Sequence, residues 1–477
     1  MPTTRNYAIV ALLAATLTFG TGSARAAQPS DTTGSAGNGS PGAPGLGDPY
    51  LPMSGNGGYD VSHYDVTVGV DPSQPDHFTG DTTVKATATQ NLSRFDLDLQ
   101  GFSIDAVTVN GVPATRIARE GEHEVVITPA DTIRQGARFD VRVRYSGAPV
   151  GKSWHKLVGG GIDVQGEPES ATAWFPSNDH PSDKATFSLT AIVPDGWTVI
   201  GNGLPGPTTR GNGRTTFRWH EDHPMVTYAS TMAIDKMTVH TSTLPDGTPI
   251  INAYGQNTQI IEDSEQVLPE IIQFLSSKFG PYPFESTGSI VVDPEPTDED
   301  FLFVETQTRP TYASAFFDVS AVHELAHQWF GDNVSFTDWR DGCIAECFAQ
   351  YAGQLWDEYK NGADPDESYR SIISDEKTDP EFWSVPLYDS GQELPEALYE
   401  RGPLMLHALR RLLGDHIFFA LLQDFQRTYR DGNASWPDFE NFAQSHSGRD
   451  LTGFFHAWAH STKIPAGPYL YPGTLKS

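Results

Sequence analysis

The hydrophobic period of this chain changes once along its length, and no single layered domain accommodates both parts. From about Tyr50 to Thr241 apolar residues alternate in short runs such as "YDVTVGV", "TTVKATAT", "FDLDLQG" and "RFDVRVRYSG", separated by Asn-Gly, Pro-Asp-Gly and Gly-Asn-Gly turns. A period of two with these turn residues predicts an antiparallel β domain. After "LPDGTPIINAYG" the period moves towards 3.6. "DSEQVLPEIIQFLSSKFG" reads as a helix with Asp263 as its cap and Gly280 at its close, and segments 317–331, 342–360, 395–413, 416–429 and 436–446 share the helical pattern. The expected fold class is multi-domain α+β, with an antiparallel β domain over 48–241 and a mainly helical domain over 242–477. There is no internal repeat. A length of 477 residues supports two or three domains with a substantial core.

The chain opens on "MPTTRNYAIVALLAATLTFGTGSARAAQ", where Arg5 precedes a short apolar run and Ala24-Arg25-Ala26 offers a cleavage site. Residues 1–26 therefore read as a signal peptide, and the protein as secreted, with the extracellular space or a periplasm as its destination. No run is long enough for a membrane span. Residues 27–47 are Gly, Ser and Pro with little to bury and read as a flexible linker. The formal charge is -30, from 31 basic and 61 acidic residues; without Arg5 and Arg25 it becomes 29 - 61 = -32. Such a surface repels nucleic acid and anionic membranes, so neither is an expected partner.

The chemistry concentrates in "AVHELAHQWFGD". His323 and His327 are four residues apart, so on a helix their imidazoles share one face and can share a metal ion. Glu324 lies about 100° further round, placed to reach a water rather than the metal. Glu346 follows on the next expected helix, in "WRDGCIAECFAQYA". Two histidines and a glutamate are the ligand set of a catalytic zinc site with one position open. A single zinc ion is the expected cofactor, with Glu324 as the general base.

HExxH followed by a glutamate at the interval that separates His327 from Glu346 resembles the zinc signature of the aminopeptidase N family, gluzincin metallopeptidases that include leukotriene hydrolase. Other stretches are similar to the same family and in the same order: "QGEPESATAWFPSNDHPSDKATFSL", "HPMVTYASTMAI", "KFGPYPF", "FLFVETQTRP" and "LYERGPLMLHALRRLLG". The likeness runs over roughly residues 50–477 and implies a thermolysin-like catalytic domain over 242–477 behind the β domain. It implies that Tyr399 donates a hydrogen bond to the oxyanion, that Glu305 and Glu167 hold the substrate's free α-ammonium, and that Gln165 assists beside them. The function implied is removal of the N-terminal residue from peptides with a free N-terminus.

The chain departs from the family in two places. The glycine-led motif around Glu305 is replaced by Leu302, Phe303, Val304 and Thr306, and Trp-Leu-Asn-Glu-Gly-Phe-Ala by Cys343-Ile344-Ala345-Glu346-Cys347-Phe348-Ala349. The stretch from Glu346 to Ser477 is enough to finish a catalytic domain and no more, so the expectation is a short form without the large C-terminal helical domain, and a more open cleft.

A thermolysin-like endopeptidase would use the same metal and base without an amine anchor, and a non-catalytic binding protein could share the scaffold. Glu305 and the β domain argue against the first, and the intact set of ligands, base and tyrosine against the second. If 342–360 is one helix, the Cα atoms of Cys343 and Cys347, the only cysteines, lie about 6 Å apart, near the long limit for a bridge. Small apolar packing beside the metal helix is the expectation for this pair, and a local disulfide the alternative.

Overall fold

In a computed structural model, residues 39–258, 262–313 and 319–476 are described. The expected leader, residues 27–38 of the expected linker and the side chain of Asp263 lie outside them. The alternating segments form the expected β domain. Its largest sheet sets Arg214–Met225, Ala185–Pro194, Tyr59–Gly69, Phe78–Ala88, Arg138–Gly147 and Ser103–Val109 side by side in that order. Neighbours are antiparallel except Ala185–Pro194 and Tyr59–Gly69, which run parallel. In Tyr59–Gly69 the inward positions are Val61, then Tyr64, Val66 and Val68, a change of parity within one strand. A bulge between Val61 and His63 absorbs the extra residue and keeps both halves facing the core.

Two four-stranded sheets flank this one. Trp154–Lys156, Ile162–Val164, Met232–Asp235 and Thr198–Gly201 form the first, and the loop leaving Ile162–Val164 carries Gln165 and Glu167. Ser40–Pro41, Leu92–Asp98, Glu124–Thr128 and Arg116–Glu120 form the second. The Ser40–Pro41 strand corrects the linker reading for residues 39–47. Pro41 lies parallel to the Leu92–Asp98 strand, and Gly42 passes so close to Gly57 that an added Cβ would sit 2.3 Å from its carbonyl oxygen. Glycines that look like linker are here the small residues that a close backbone approach requires.

The second part begins earlier than residue 242. The hairpin Thr238–Thr243 and Pro249–Tyr254 forms one sheet with Thr287–Val292 and Thr311–Ala313, so the expected border cuts a strand. Helices follow: α1 Glu262–Phe279, α2 Val319–Ala326, α3 Glu346–Asn361, α4 Pro365–Glu376, α5 Ala397–Leu413, α6 Asp415–Thr428 and α7 Trp436–Ser447. Sequence periodicity missed α4, although Asp364 caps it through the N–H groups of Asp366 and Glu367 and Pro365 opens it.

The segment 342–360 is not one helix. A 3₁₀ helix covers Trp339–Ile344, and α3 starts only at Glu346. The change of winding brings the Cα atoms of Cys343 and Cys347 to 4.7 Å, and the two residues form a disulfide. The packing expectation for the pair is thereby corrected: a regular helix would hold the two Cα atoms near the long limit for a bridge, and the helix boundary brings them closer. Gly402 of α5 packs on the bridge, with room for no side chain, since an added Cβ would lie 2.4 Å from Cys347 Sγ.

Asp48 ties the chain's described start to the approach to α3. It is 2% exposed. Its carboxylate accepts from the N–H groups of Tyr50 at 2.7 Å, Leu51 at 2.9 Å and Trp339 at 2.9 Å, and lies 3.5 Å from His180 Nε2. Burial pushes its pKa up, but His180 and the three N–H groups hold it down at about 2. A depressed carboxyl stabilises the fold above its unfolded pKa and loses that contribution as pH falls through its folded value. Asp48→Asn should therefore cost about 2 kcal/mol at pH 7. In urea unfolding, the gap between variant and wild type should close between about pH 5 and pH 2; a gap independent of pH would refute this.

Candidate active site

α2 buries Ala321, Val322, Leu325 and Ala326 and turns His323 and His327 to the same side. The His327 N–H continues the turn by donating to the His323 carbonyl at 3.3 Å. At its end Phe330 stacks on Phe348 of α3, with ring centroids 4.2 Å apart, which brings the start of α3 beneath the imidazoles. There Glu346 Oε2 lies 3.3 Å from His323 Nε2 and 3.6 Å from His327 Nε2, and the two nitrogens are 3.0 Å apart.

The other ring nitrogens fix the tautomers. His323 Nδ1 lies 2.9 Å from Gln350 Oε1, and His327 Nδ1 3.0 Å from the Phe330 carbonyl, both acceptors only. Each Nδ1 thus carries the proton and each Nε2 presents a lone pair. Two lone pairs and a carboxylate oxygen facing one another repel unless a cation lies between them. A tetrahedral zinc with ligands at 2.0–2.1 Å spaces its ligand atoms about 3.3 Å apart, the mean of the three separations here. The donor set fits one zinc ion, held by His323, His327 and Glu346.

Carboxylates crowd one side of this centre. Glu305, Glu324 and His327 each offer a ligand atom within 4.8 Å of the others, and so do Glu167, Glu305 and Glu346. Glu324 is 7% exposed. Burial lifts its pKa to about 7, against the pull of His323 and His327. Burial also raises Glu167 well above the usual carboxyl range, with Glu305 and Glu346 adding to the rise. One oxygen each of Glu167 and Glu305 is buried without a hydrogen-bond partner. Among the described residues no lysine or arginine forms an ion pair with this group.

Tyr399 lies in the first turn of α5, its ring nearly parallel to that of His323 with centroids 6.1 Å apart. Burial raises its pKa well above 10, helped by Glu346, Glu167, Glu305 and Glu324, so the phenol keeps its proton. Gln165 takes a different place from the carboxylates. Its Nε2 donates to the Leu302 carbonyl at 3.1 Å and so steadies the loop before Glu305, while its Oε1 is buried without a partner.

Sequence reasoning missed three supporting residues. Gln350 orients His323 from one turn beyond Glu346 on α3, an i, i+4 spacing that could have flagged it. Gln328 donates to the Glu305 carbonyl at 3.2 Å and to Asp332 at 2.8 Å, and accepts from the Thr308 N–H at 2.8 Å, locking the Glu305 loop to the metal helix. Tyr228 brings its buried hydroxyl towards Glu305, and burial with that charge raises its pKa well above 10. Its separation in sequence leaves no local signal.

The chain matches the family model for the peptidase M1 N-terminal domain over residues 61–229 and that for the peptidase family M1 domain over 267–458. It is 23% identical to aminopeptidase N of Streptomyces lividans over 80% of this chain and 48% of that protein. It is 23% identical to the Tricorn protease-interacting factor F2 of Thermoplasma acidophilum over 77% of this chain and 49% of that protein. The chain thus spans about half the length of the curated relatives it matches. Among solved structures it resembles an M1 zinc metallopeptidase of Deinococcus radiodurans, a Glu-to-Ala variant bound to a Tyr-Ser-Ala substrate. That match has a TM-score of 0.80 and 28% identity, and covers 89% of this chain and 100% of that one. The unsubstituted Deinococcus enzyme matches with a TM-score of 0.79 and 28% identity, over 90% of this chain and 99% of that one.

Proposed function

We propose that this chain, which belongs to peptidase family M1, is an exported zinc aminopeptidase that hydrolyses the first peptide bond of substrates with a free N-terminus. The observation that carries this reading is the convergence of Glu167 and Glu305 on the zinc ligand Glu346. A scissile peptide bond is neutral and gives the carboxylates of Glu167 and Glu305 nothing to bind. An α-ammonium gives them a partner and fixes the distance from the chain end to the reacting carbonyl. The signal-like residues 1–26 support export, and among the described residues no helix is long and apolar enough to cross a membrane.

A zinc ion bound by His323, His327 and Glu346 would supply Lewis acidity and make water a competent nucleophile at neutral pH. Glu305 and Glu167 hold the ammonium, and Gln165 braces the loop on which Glu305 sits. Glu324 takes the proton from the attacking water and passes it to the departing amine, a task suited to a carboxyl tuned near neutrality. Tyr399 donates its phenolic hydrogen to the carbonyl oxygen as that oxygen gains charge.

The test compares each free aminoacyl substrate with its N-acetylated counterpart. Hydrolysis should require the free amine, and release should proceed one residue at a time from the N-terminus. Cleavage of an N-acetylated peptide at an internal bond would overturn the aminopeptidase reading in favour of a thermolysin-like endopeptidase.

A further inference from the structure

A second group of metal-ligating side chains lies in the β domain, on strands that carry none of the residues above. Asp98 ends the strand Leu92–Asp98, Glu124 opens the strand Glu124–Thr128, and the two are directly opposed in the antiparallel register. Like charges facing each other across a ladder destabilise it, and here both residues are almost fully buried. His123 places its Nε2 among their oxygens, 3.8 Å from Asp98 Oδ1 and 3.5 Å from Glu124 Oε1, and 3.2 Å from the Met53 carbonyl oxygen. One nitrogen thus faces three oxygens, and the single proton it could carry serves only one of them.

The independent sign of a missing ligand is Glu124. It is 2% exposed, and neither of its carboxylate oxygens has a hydrogen-bond partner. Asp98, by contrast, is held in place: Asn56 Nδ2 donates to its Oδ1 at 2.9 Å and the Asp179 N–H to its Oδ2 at 2.8 Å, the outer support a metal ligand requires. Glu169 and Asp179 add negative charge to the same neighbourhood. Among the described residues, no lysine or arginine forms an ion pair with Asp98 or Glu124. Burial raises Glu124 to about 9 and Asp98 to about 7, the response of carboxylates that lack a compensating cation.

We propose that Asp98, His123 and Glu124, completed by the Met53 carbonyl, bind a second divalent cation of the zinc type. The imidazole decides the class, because calcium and magnesium sites are built from oxygen alone, whereas zinc takes mixed nitrogen and oxygen donors. The separations of 3.2, 3.5 and 3.8 Å from Nε2 bracket the edge of about 3.3 Å that tetrahedral zinc imposes. The ion would fasten the opposed strands to the Met53–Asn56 segment and, through Asp179, to the loop beyond Glu167. Its role is structural, and it touches no substrate.

The test is a difference in metal content. Wild type, Glu124→Gln and His123→Ala are each equilibrated with excess zinc, passed through a desalting column and assayed by elemental analysis. Each variant should hold one zinc fewer per chain than wild type while retaining its peptide hydrolysis. Added zinc should raise the melting temperature of the wild type by at least about 2 °C beyond any rise seen in Glu124→Gln. In chelator, Glu124→Gln should melt no lower than wild type, since glutamine matches the shape and neutrality of the protonated carboxyl that burial favours there, so a lost zinc cannot be ascribed to misfolding. Equal zinc content in wild type and both variants would overturn the proposal, and so would equal zinc-dependent stabilisation of wild type and Glu124→Gln.

Discussion

Glu324→Gln should leave the catalytic zinc in place and lower kcat about 10³-fold. Glutamine has the shape of glutamate, so the packing around residue 324 is preserved, but it cannot accept a proton at neutral pH. Positioned proton transfer contributes about 10² to 10⁴ in rate. A loss of 10³ corresponds to about 4 kcal/mol of transition-state stabilisation. The residue is not among the three atoms that face one another at 3.0, 3.3 and 3.6 Å, so metal content should not change. KM should move little, because the amine receptor is formed by other side chains. Elemental analysis and steady-state kinetics on one preparation separate the two ways of losing activity. Activity within tenfold of wild type, with zinc bound, would remove Glu324 from the proton-transfer role.

How far the site could be read in advance follows from the range of the interactions that build it. His323, Glu324 and His327 lie within one helical turn, where spacing alone fixes their directions, and the start of α3 brings Glu346 to them. The β domain was legible because a period of two is a local signal. What escaped was decided at boundaries or by distant partners. The disulfide depends on α3 beginning at Glu346 rather than at the start of the helical pattern, a shift that periodicity does not resolve. The packing of residues 39–47 depends on Gly57 and the Leu92–Asp98 strand, which a linker-like composition conceals. The opposition of Asp98 to Glu124 is a matter of strand register, set between positions too far apart in the chain for any local pattern to span. Tyr228 reaches Glu305 in the same manner, from the end of one part of the chain into the site of the other. Gln350 and Gln328 were the readable omissions, since each lies on a helical turn already singled out.

Glu305→Gln tests the measuring device rather than the chemistry. If the carboxylate cluster receives the α-ammonium, removing one charge weakens a desolvated ion pair. Truncating one partner of such a pair costs about 2–5 kcal/mol. A value of about 3 kcal/mol lowers kcat/KM for a free aminoacyl substrate roughly 10²-fold. Zinc content should hold, because the three facing ligand atoms belong to His323, His327 and Glu346 and not to Glu305. Glu167 remains and keeps part of the attraction, so the loss should stop short of abolition. The decisive quantity is the ratio of rates on free and N-acetylated substrates. Wild type should discriminate strongly, since acetylation removes the cation and pushes a neutral amide against unpaired buried carboxylates. In Glu305→Gln that ratio should shrink, because the free amine loses an attraction that the acetylated substrate never had. A variant that loses activity equally on both substrates would assign Glu305 to shaping the cleft, and the rule that confines cleavage to the first residue would then need another source.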